Sequence, residues 1–129
     1  MSKIRILVVG CGNMGASHAL AYHQLEDFEI CGIVSRGNSN SALNDKLGGN
    51  YPLYNSFDQA IQNSNPDAVC ISTYPDTHEE FAMKAFGKGC HVFLEKPVAP
   101  TYESAFKVVE AATSADKKLV VGYILRHHP

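Results

Sequence analysis

The stretch Ile4 to Gly15, IRILVVGCGNMG, decides the fold of this chain. Its first half is a nearly unbroken apolar run, which is typical of a strand covered on both faces at the centre of a parallel sheet. The run stops at Gly10, and Gly10, Gly12 and Gly15 follow the spacing G-x-G-x-x-G. A helix-compatible segment, residues 13–24, begins inside this motif.

A glycine motif placed between such a strand and such a helix predicts a dinucleotide site. The first glycine allows a tight turn, the second lets a diphosphate approach the backbone, and the third lets helix and strand pack closely. The N-H groups and the positive dipole end of the helix would face the phosphates. The candidate binding residues are Gly10, Gly12, Asn13, Met14 and Gly15. The alternative is a purely structural turn, because glycines recur wherever a strand turns sharply into a helix.

Composition narrows the class of protein. The 129 residues form one domain with 45% hydrophobic and 19% charged residues, which is ordinary for a globular protein. The net charge of -2 and the lack of a Lys/Arg-rich run argue against nucleic-acid or anionic-membrane binding.

Four cysteines without a C-x-x-C pair favour reduced core thiols over a disulfide framework or a zinc site. No apolar run approaches the roughly 20 residues of a membrane span, and the N-terminus leaves no room for a signal peptide, so we expect a cytoplasmic protein.

Strand and helix patterns alternate along the whole chain. Strands are predicted at 4–9, 28–34, 53–54, 68–72, 91–94 and 119–122. Helices are predicted at 13–24, 41–47, 57–62, 77–88 and 101–114, with Ser41 and Thr101 as N-caps of two of them. The alternation predicts an α/β fold with a doubly wound parallel sheet (Rossmann), strand order 3-2-1-4-5-6, over residues 1–122.

Ligands of such sheets bind beyond the carboxyl ends of the strands, where Gly10, Ser35, Thr73, Glu95 and Tyr123 should converge. The second strand closes at Ser35 and Arg36, without the acid that would accept a hydrogen bond from a ribose 2′-OH. A hydroxyl beside a guanidinium suits a 2′-phosphate, so NADP is predicted in preference to NAD. The alternative is that Arg36 is a solvated loop residue.

With these residues in hand, the sequence resembles the N-terminal half of the Gfo/Idh/MocA family (glucose-fructose oxidoreductase and inositol dehydrogenase). The resemblance rests on His18 three residues after Gly15, on the proline turn and His78 after the fourth strand, and on two segments. These segments are GKGCHVFLEKP, residues 87–97, and VGYILR, residues 121–126.

The resemblance implies an oxidoreductase that transfers hydride between NAD or NADP and a carbonyl or hydroxyl carbon, often of a sugar or polyol. By the same resemblance Lys96 and Glu95 are the catalytic candidates: the Lys96 ammonium would polarise the substrate oxygen or relay its proton, and Glu95 would orient the lysine or the nicotinamide ribose. Further carried-over cofactor contacts are Thr73, Tyr74, Pro75, His78 and Arg126. His127 and His128 are adjacent, so their side chains point apart and no metal site is predicted.

The resemblance also implies a second domain. In the family that domain supplies the substrate pocket, a further acid-base residue and the oligomer interface, so residues 123–129 are interpreted as the start of a connection to it. We expect this chain to bind NADP(H) but to turn over sugars negligibly, and the full-length protein to be a homo-oligomer. The alternative function is a non-enzymatic NAD(P)-sensing regulatory domain of the same fold, which would have no use for Lys96.

Overall fold

The computed structural model describes residues 3–95 and 98–122, with Asn13 and Met14 described by their backbone alone. Six strands and five helices alternate through this part of the chain, with a short 3₁₀ turn at Pro75–Thr77. The elements are β1 Ile4–Val9, α1 Asn13–Gln24, β2 Phe28–Val34, α2 Ser39–Leu47, β3 Leu53–Tyr54, α3 Phe57–Ser64, β4 Ala68–Ile71, α4 His78–Gly87, β5 His91–Leu94, α5 Tyr102–Ala115 and β6 Leu119–Val121. No helix among these residues is long and apolar enough to cross a membrane.

The strands form one parallel sheet in the order β3-β2-β1-β4-β5-β6, which confirms the predicted topology. Their carboxyl ends are in register, because Val9 pairs with both Val34 and Ile71, and Ile71 pairs with Leu94. The residues that follow β1, β2, β4 and β5 therefore share one edge of the sheet. Backbone hydrogen bonds extend the pairing to that edge, from the Gly10 N-H to the Val34 carbonyl at 3.0 Å and from the Glu95 N-H to the Ile71 carbonyl at 3.1 Å.

The core lies in two layers, one on each face of the sheet. Leu7 and Val9 of β1 pack against apolar residues of α3, α4 and α5, whereas Ile6 and Val8 pack against those of α1 and α2. All four side chains are at most 1% exposed, and burying each one contributes about 1.5–3 kcal/mol. The first strand of the sequence is therefore the centre of the molecule, as its unbroken apolar run predicted.

The starts of α5 and α2 test the two capping predictions. The prediction for α5 is confirmed, and the prediction for α2 is wrong. The Thr101 hydroxyl accepts a hydrogen bond from the Ser104 N-H at 3.1 Å, which confirms Thr101 as the cap of α5. Helix α2 instead begins at Ser39, two residues earlier than predicted, so Ser41 lies inside its first turn. The reason is Asn40, whose buried side chain fixes the start of the helix: its Oδ1 accepts from the Ser41 N-H at 2.8 Å.

Candidate functional site

A cleft of about 750 Å³ opens at the carboxyl edge of the sheet. Its walls come from the glycine loop after β1, from the loop after β2, from the start of α3, from the turn after β4, from α4 and from Glu95 after β5. The lining includes seven predicted site residues that lie far apart in sequence: Gly10, Gly12, Ser35, Arg36, Thr73, Tyr74 and Glu95.

The three motif glycines differ in what a side chain at each position would meet. Gly10 has a φ of +100°, a conformation that side-chain-bearing residues rarely adopt, and a Cβ there would lie 2.9 Å from the Ser72 carbonyl. A Cβ on Gly15 would lie 2.1 Å from the Gly10 carbonyl oxygen, so only glycine lets α1 approach β1 this closely. Gly12 is exposed, and a Cβ there would meet no protein atom within 4 Å. The open space above Gly12 lies in the cleft, where a ligand can approach the backbone.

Helix α1 points its N-terminus into this space. Gly12 is its N-cap residue, and no side chain in the described part of the chain caps it, whereas Ser56 and Thr101 cap α3 and α5. The first turn of α1 also contains no acidic residue. An uncapped helix N-terminus with no acidic residue in its first turn is suited to binding an anion.

The loop after β2 is held in shape by its own polar groups. The Ser35 hydroxyl donates to the Gly37 carbonyl at 3.0 Å and accepts from the Asn40 N-H at 3.0 Å. Asn55, which follows β3, donates to the carbonyls of Ser35 and Gly37 at 3.0 and 3.1 Å. The Ser35 proton is thus already used within the loop. Arg36 is exposed and has no hydrogen bond or ion pair to any other residue that the structure describes.

The turn after β4 forms the opposite wall, and here two expectations need correction. Thr73 and Thr77 share a hydroxyl hydrogen bond of 2.5 Å, and Tyr74 is 81% exposed on the rim. His78 was expected to line the cofactor's path, but it is fully buried: its ring nitrogens lie 3.0 Å from the Thr73 carbonyl and 3.2 Å from the Val98 carbonyl. Pro75 was also expected to line the path, but it begins the 3₁₀ turn and is not among the residues that line the cleft. Thr77, which was not predicted, does line it.

At the other end of the cleft Glu95 contacts His18 of α1. The His18 Nε2 lies 2.6 Å from a Glu95 carboxylate oxygen, and the two side chains are only 6% and 12% exposed. The resemblance pointed to both residues but not to this contact, because they are 77 positions apart. Lys96 and Arg126, two further candidates, lie outside the described residues, as do the side chains of Asn13 and Met14.

A charged cluster lies on the cleft wall formed by α3 and α4. Lys84 of α4 contacts Glu80, four residues earlier in the same helix, at 2.9 Å and Asp58 of α3 at 2.8 Å. Hydrogen bonds to Asp58 and then to Glu80 raise the pKa of Lys84 above its ordinary value. The charge of Lys84 is therefore compensated inside the cluster. Asn55 and Asp58 could have been found by the same strand-end reasoning that singled out Ser35, since both follow β3 closely.

The four cysteines are free thiols, and Cys31, Cys70 and Cys90 are buried. Cys11 lies in the glycine loop, where burial raises its pKa from 9.0 to about 11. These features fit the prediction of reduced structural thiols, and they do not make Cys11 a nucleophile.

Comparison with known proteins agrees with this geometry. The family model GFO_IDH_MocA, described as an oxidoreductase family with an NAD-binding Rossmann fold, matches residues 4–123. An inositol 2-dehydrogenase from Paracoccus denitrificans is 32% identical over 98% of this chain, which spans 38% of that relative. A solved NAD-binding protein from Listeria innocua is 30% identical, with a TM-score of 0.81. The match covers 94% of this chain and 34% of that protein. A scyllo-inositol dehydrogenase from Lactobacillus casei, solved with NAD(H) and scyllo-inositol, shares the fold with a TM-score of 0.87 at 24% identity. The match covers 97% of this chain and 37% of that protein.

Proposed function

This chain belongs to the Gfo/Idh/MocA oxidoreductase family with its NAD-binding Rossmann fold, and from that premise we propose that it binds NADP(H) in preference to NAD(H). We further propose that the bound dinucleotide serves hydride transfer to or from a carbonyl or hydroxyl carbon of a polyol or sugar. The relatives named inositol 2-dehydrogenase support the polyol class. The chain spans little more than a third of their length, so activity of the whole protein belongs to this proposal.

The observation that carries cofactor binding is the open space over Gly12 at the uncapped start of α1. A diphosphate placed there would accept hydrogen bonds from backbone N-H groups, and the helix dipole would favour its negative charge. Gly15 brings the helix N-terminus close to β1, since its missing Cβ removes a 2.1 Å contact with the Gly10 carbonyl oxygen. The glycine loop can hold a diphosphate without any cationic side chain.

The preference for NADP(H) is supported by Arg36. Arg36 lines the cleft at the end of β2, is exposed, and has no ionic partner among residues 3–95 and 98–122. A free guanidinium there would pair with a 2′-phosphate, whereas a ribose 2′-OH would find no acid closing β2. NAD(H) is the competing cofactor, because two solved proteins of this fold hold NAD.

We propose Lys96 and Glu95 as the catalytic pair. A bound nicotinamide would supply or accept the hydride. Hydride arriving at a carbonyl carbon places negative charge on the oxygen, and the Lys96 ammonium would stabilise that charge and donate the proton that completes the hydroxyl group. Glu95 lies on the cleft wall, where its carboxylate would orient the reacting groups. We propose that this chain alone turns over polyols negligibly, since hydride transfer requires cofactor and substrate to be held together in near-attack geometry.

The test is titration of this chain with NADPH and NADH. The chain contains no tryptophan, so enhancement of the nicotinamide fluorescence reports binding without interference from the protein. We expect NADPH to bind at least about tenfold more tightly than NADH, as befits one charge-assisted phosphate contact. Equal or tighter binding of NADH would refute the preference, and no binding of either would refute the cofactor site.

Arg36→Ala isolates the residue that carries the preference. It should weaken NADPH binding to the level of NADH and leave NADH binding unchanged. The matched control is Lys107→Ala, which removes an exposed cation from α5, away from the cleft lining, and should change neither affinity. An Arg36→Ala variant that keeps the wild-type preference would assign the 2′-phosphate to another group.

A further inference from the structure

We propose that His18 is a positioning residue, which holds the Glu95 carboxylate at the nicotinamide end of the cleft. The inference rests on the proposed cofactor function and adds to it a residue that does not touch the cofactor. His18 lies on α1, three residues after Gly15, and Glu95 is the residue directly after β5. Their contact spans the carboxyl end of β4, which separates β1 from β5 in the sheet.

The position of Glu95 assigns it to the nicotinamide end. Arg36 follows β2 and Glu95 follows β5, and in the sheet order these strands are three positions apart. At about 4.8 Å per strand spacing the two ends of the cleft are about 14 Å apart. The glycine loop after β1 lies between them. A dinucleotide with its 2′-phosphate at Arg36 and its diphosphate on the glycine loop therefore extends its nicotinamide toward Glu95.

The contact has the geometry of a directed hydrogen bond. The His18 Nε2 lies 2.6 Å from a Glu95 carboxylate oxygen, and both side chains are largely removed from solvent. The other ring nitrogen, Nδ1, is buried and has no hydrogen-bond partner in the described part of the chain. A proton on Nδ1 would leave a buried donor unpaired, so the proton belongs on Nε2, which donates it to the carboxylate.

This hydrogen bond links the two halves of the proposed site. Helix α1 starts at the loop that would bind the diphosphate, and Glu95 immediately precedes Lys96 in the sequence. Holding the Glu95 side chain against α1 fixes the carboxylate relative to the bound diphosphate. Without the His18 donor, the carboxylate would keep its place on the cleft wall only through packing, and the nicotinamide end would lose its fixed geometry.

The experiment compares a complete cofactor with one that lacks the nicotinamide half. NADPH occupies both ends of the cleft, and 2′,5′-ADP occupies only the adenosine end. We compare His18→Gln with His18→Asn, which differ by one methylene: the glutamine amide nitrogen can take the place of Nε2, whereas that of asparagine stops near the place of Nδ1. His23→Leu is the control, because His23 is an exposed histidine of the same helix.

We expect His18→Asn to weaken NADPH binding about tenfold, as for loss of a buried hydrogen bond to a charged group, and to leave 2′,5′-ADP binding within about twofold. His18→Gln should restore NADPH binding to within about threefold, and His23→Leu should match the wild type. Should His18→Asn fail to fold, His18→Leu removes the donor without burying an amide, and the same comparison applies.

Equal weakening of NADPH and 2′,5′-ADP would overturn the inference, because it would show that His18 serves only the general packing of α1. Unchanged NADPH binding in His18→Asn, or no rescue by His18→Gln, would also overturn it. These outcomes are distinct from failure of the proposed function, in which the wild-type chain itself would bind neither NADPH nor 2′,5′-ADP.

Discussion

Replacing Gly15 by alanine is expected to destabilise the fold, whereas replacing Gly12 by alanine is expected to weaken cofactor binding alone. A Cβ on Gly15 would lie 2.1 Å from the carbonyl oxygen and 2.8 Å from the carbonyl carbon of Gly10. Both are backbone atoms, and the first distance is about 1 Å below the 3.0 Å under which Cβ contacts in proteins essentially never fall. Helix α1 would have to move away from β1 by about that distance, which would loosen the packing of Ala19 and Tyr22 against the sheet.

The magnitude follows from the clash. Overpacking costs typically 1–3 kcal/mol, and because neither backbone atom can rotate away we expect about 3 kcal/mol for Gly15→Ala. For a domain of this size that lowers the melting temperature by about 10 °C. Gly12→Ala meets no atom within 4 Å, and Gly12 has an ordinary φ of -73°, so its unfolding free energy should stay within about 1 kcal/mol of the wild type.

The assay pairs thermal unfolding, followed by circular dichroism, with the NADPH fluorescence titration. Gly12→Ala should bind NADPH at least about tenfold more weakly, because its methyl group would occupy the approach of the diphosphate to the backbone. Gly87→Ala is the control: a Cβ there also meets nothing within 4 Å, and Gly87 lies outside the cleft lining. Equal losses of melting temperature in the Gly12 and Gly15 variants, or wild-type binding by Gly12→Ala, would refute the division of roles.

Three further outcomes follow from the structure. Asn40 is 3% exposed and donates to the Tyr54 carbonyl at 2.9 Å, so Asn40→Leu should lower the unfolding free energy in urea by about 1–3 kcal/mol, and a neutral effect would contradict this account of the start of α2. Burial raises the pKa of Cys70 from 9.0 to about 12, so the folded state retains a proton that the unfolded state releases near pH 9. The Cys70 thiol should therefore have no effect on the pH dependence of the free energy of unfolding below pH 9, and this free energy should decline as pH rises from 9 toward 12. Cys70→Ala should make the decline shallower. The affinity ratio of NADPH to NADH should shrink as NaCl rises from 0.05 to 0.5 M, because Arg36 is an exposed charge that salt screens, and a constant ratio would argue against an ionic contact.

The sequence was sufficient for the fold because the elements signal themselves locally. Each strand of the sheet centre is an apolar run that ends in a turn residue, and the alternation with helices leaves few allowed topologies. Helix α1 begins and ends at the predicted residues, since a glycine motif opens it. The start of α2 was misplaced because Asn40 resembles a loop residue, and only the three-dimensional structure shows that its side chain is buried against the Tyr54 and Ile33 carbonyls.

The candidate site was less predictable for a physical reason. Strand-end positions identify which residues share an edge, but they do not say which side chains face the cleft. His78 follows β4 by seven residues, yet its ring turns into the protein, where its two nitrogens lie near the carbonyls of Val98 and Thr73. The His18 contact to Glu95 joins side chains that are 77 positions apart in the sequence, and no pattern within α1 or β5 predicts it. Contacts between distant segments appear only when the packing is known.

Charge in the cleft is distributed in a way that explains how an acidic protein could bind a polyanion. The net charge is -2, and the described cationic side chains that line the cleft are Arg36 and Lys84. Asp58 and Glu80 compensate Lys84 at 2.8 and 2.9 Å. A diphosphate would therefore depend on backbone N-H groups and the dipole of α1, which change little with the surface charge of the protein, and a 2′-phosphate would depend on Arg36 alone among the described side chains. Affinity for the common part of the cofactor and discrimination at the 2′ position thus reside in separate groups, so a substitution at residue 36 can change the cofactor preference without weakening the diphosphate site.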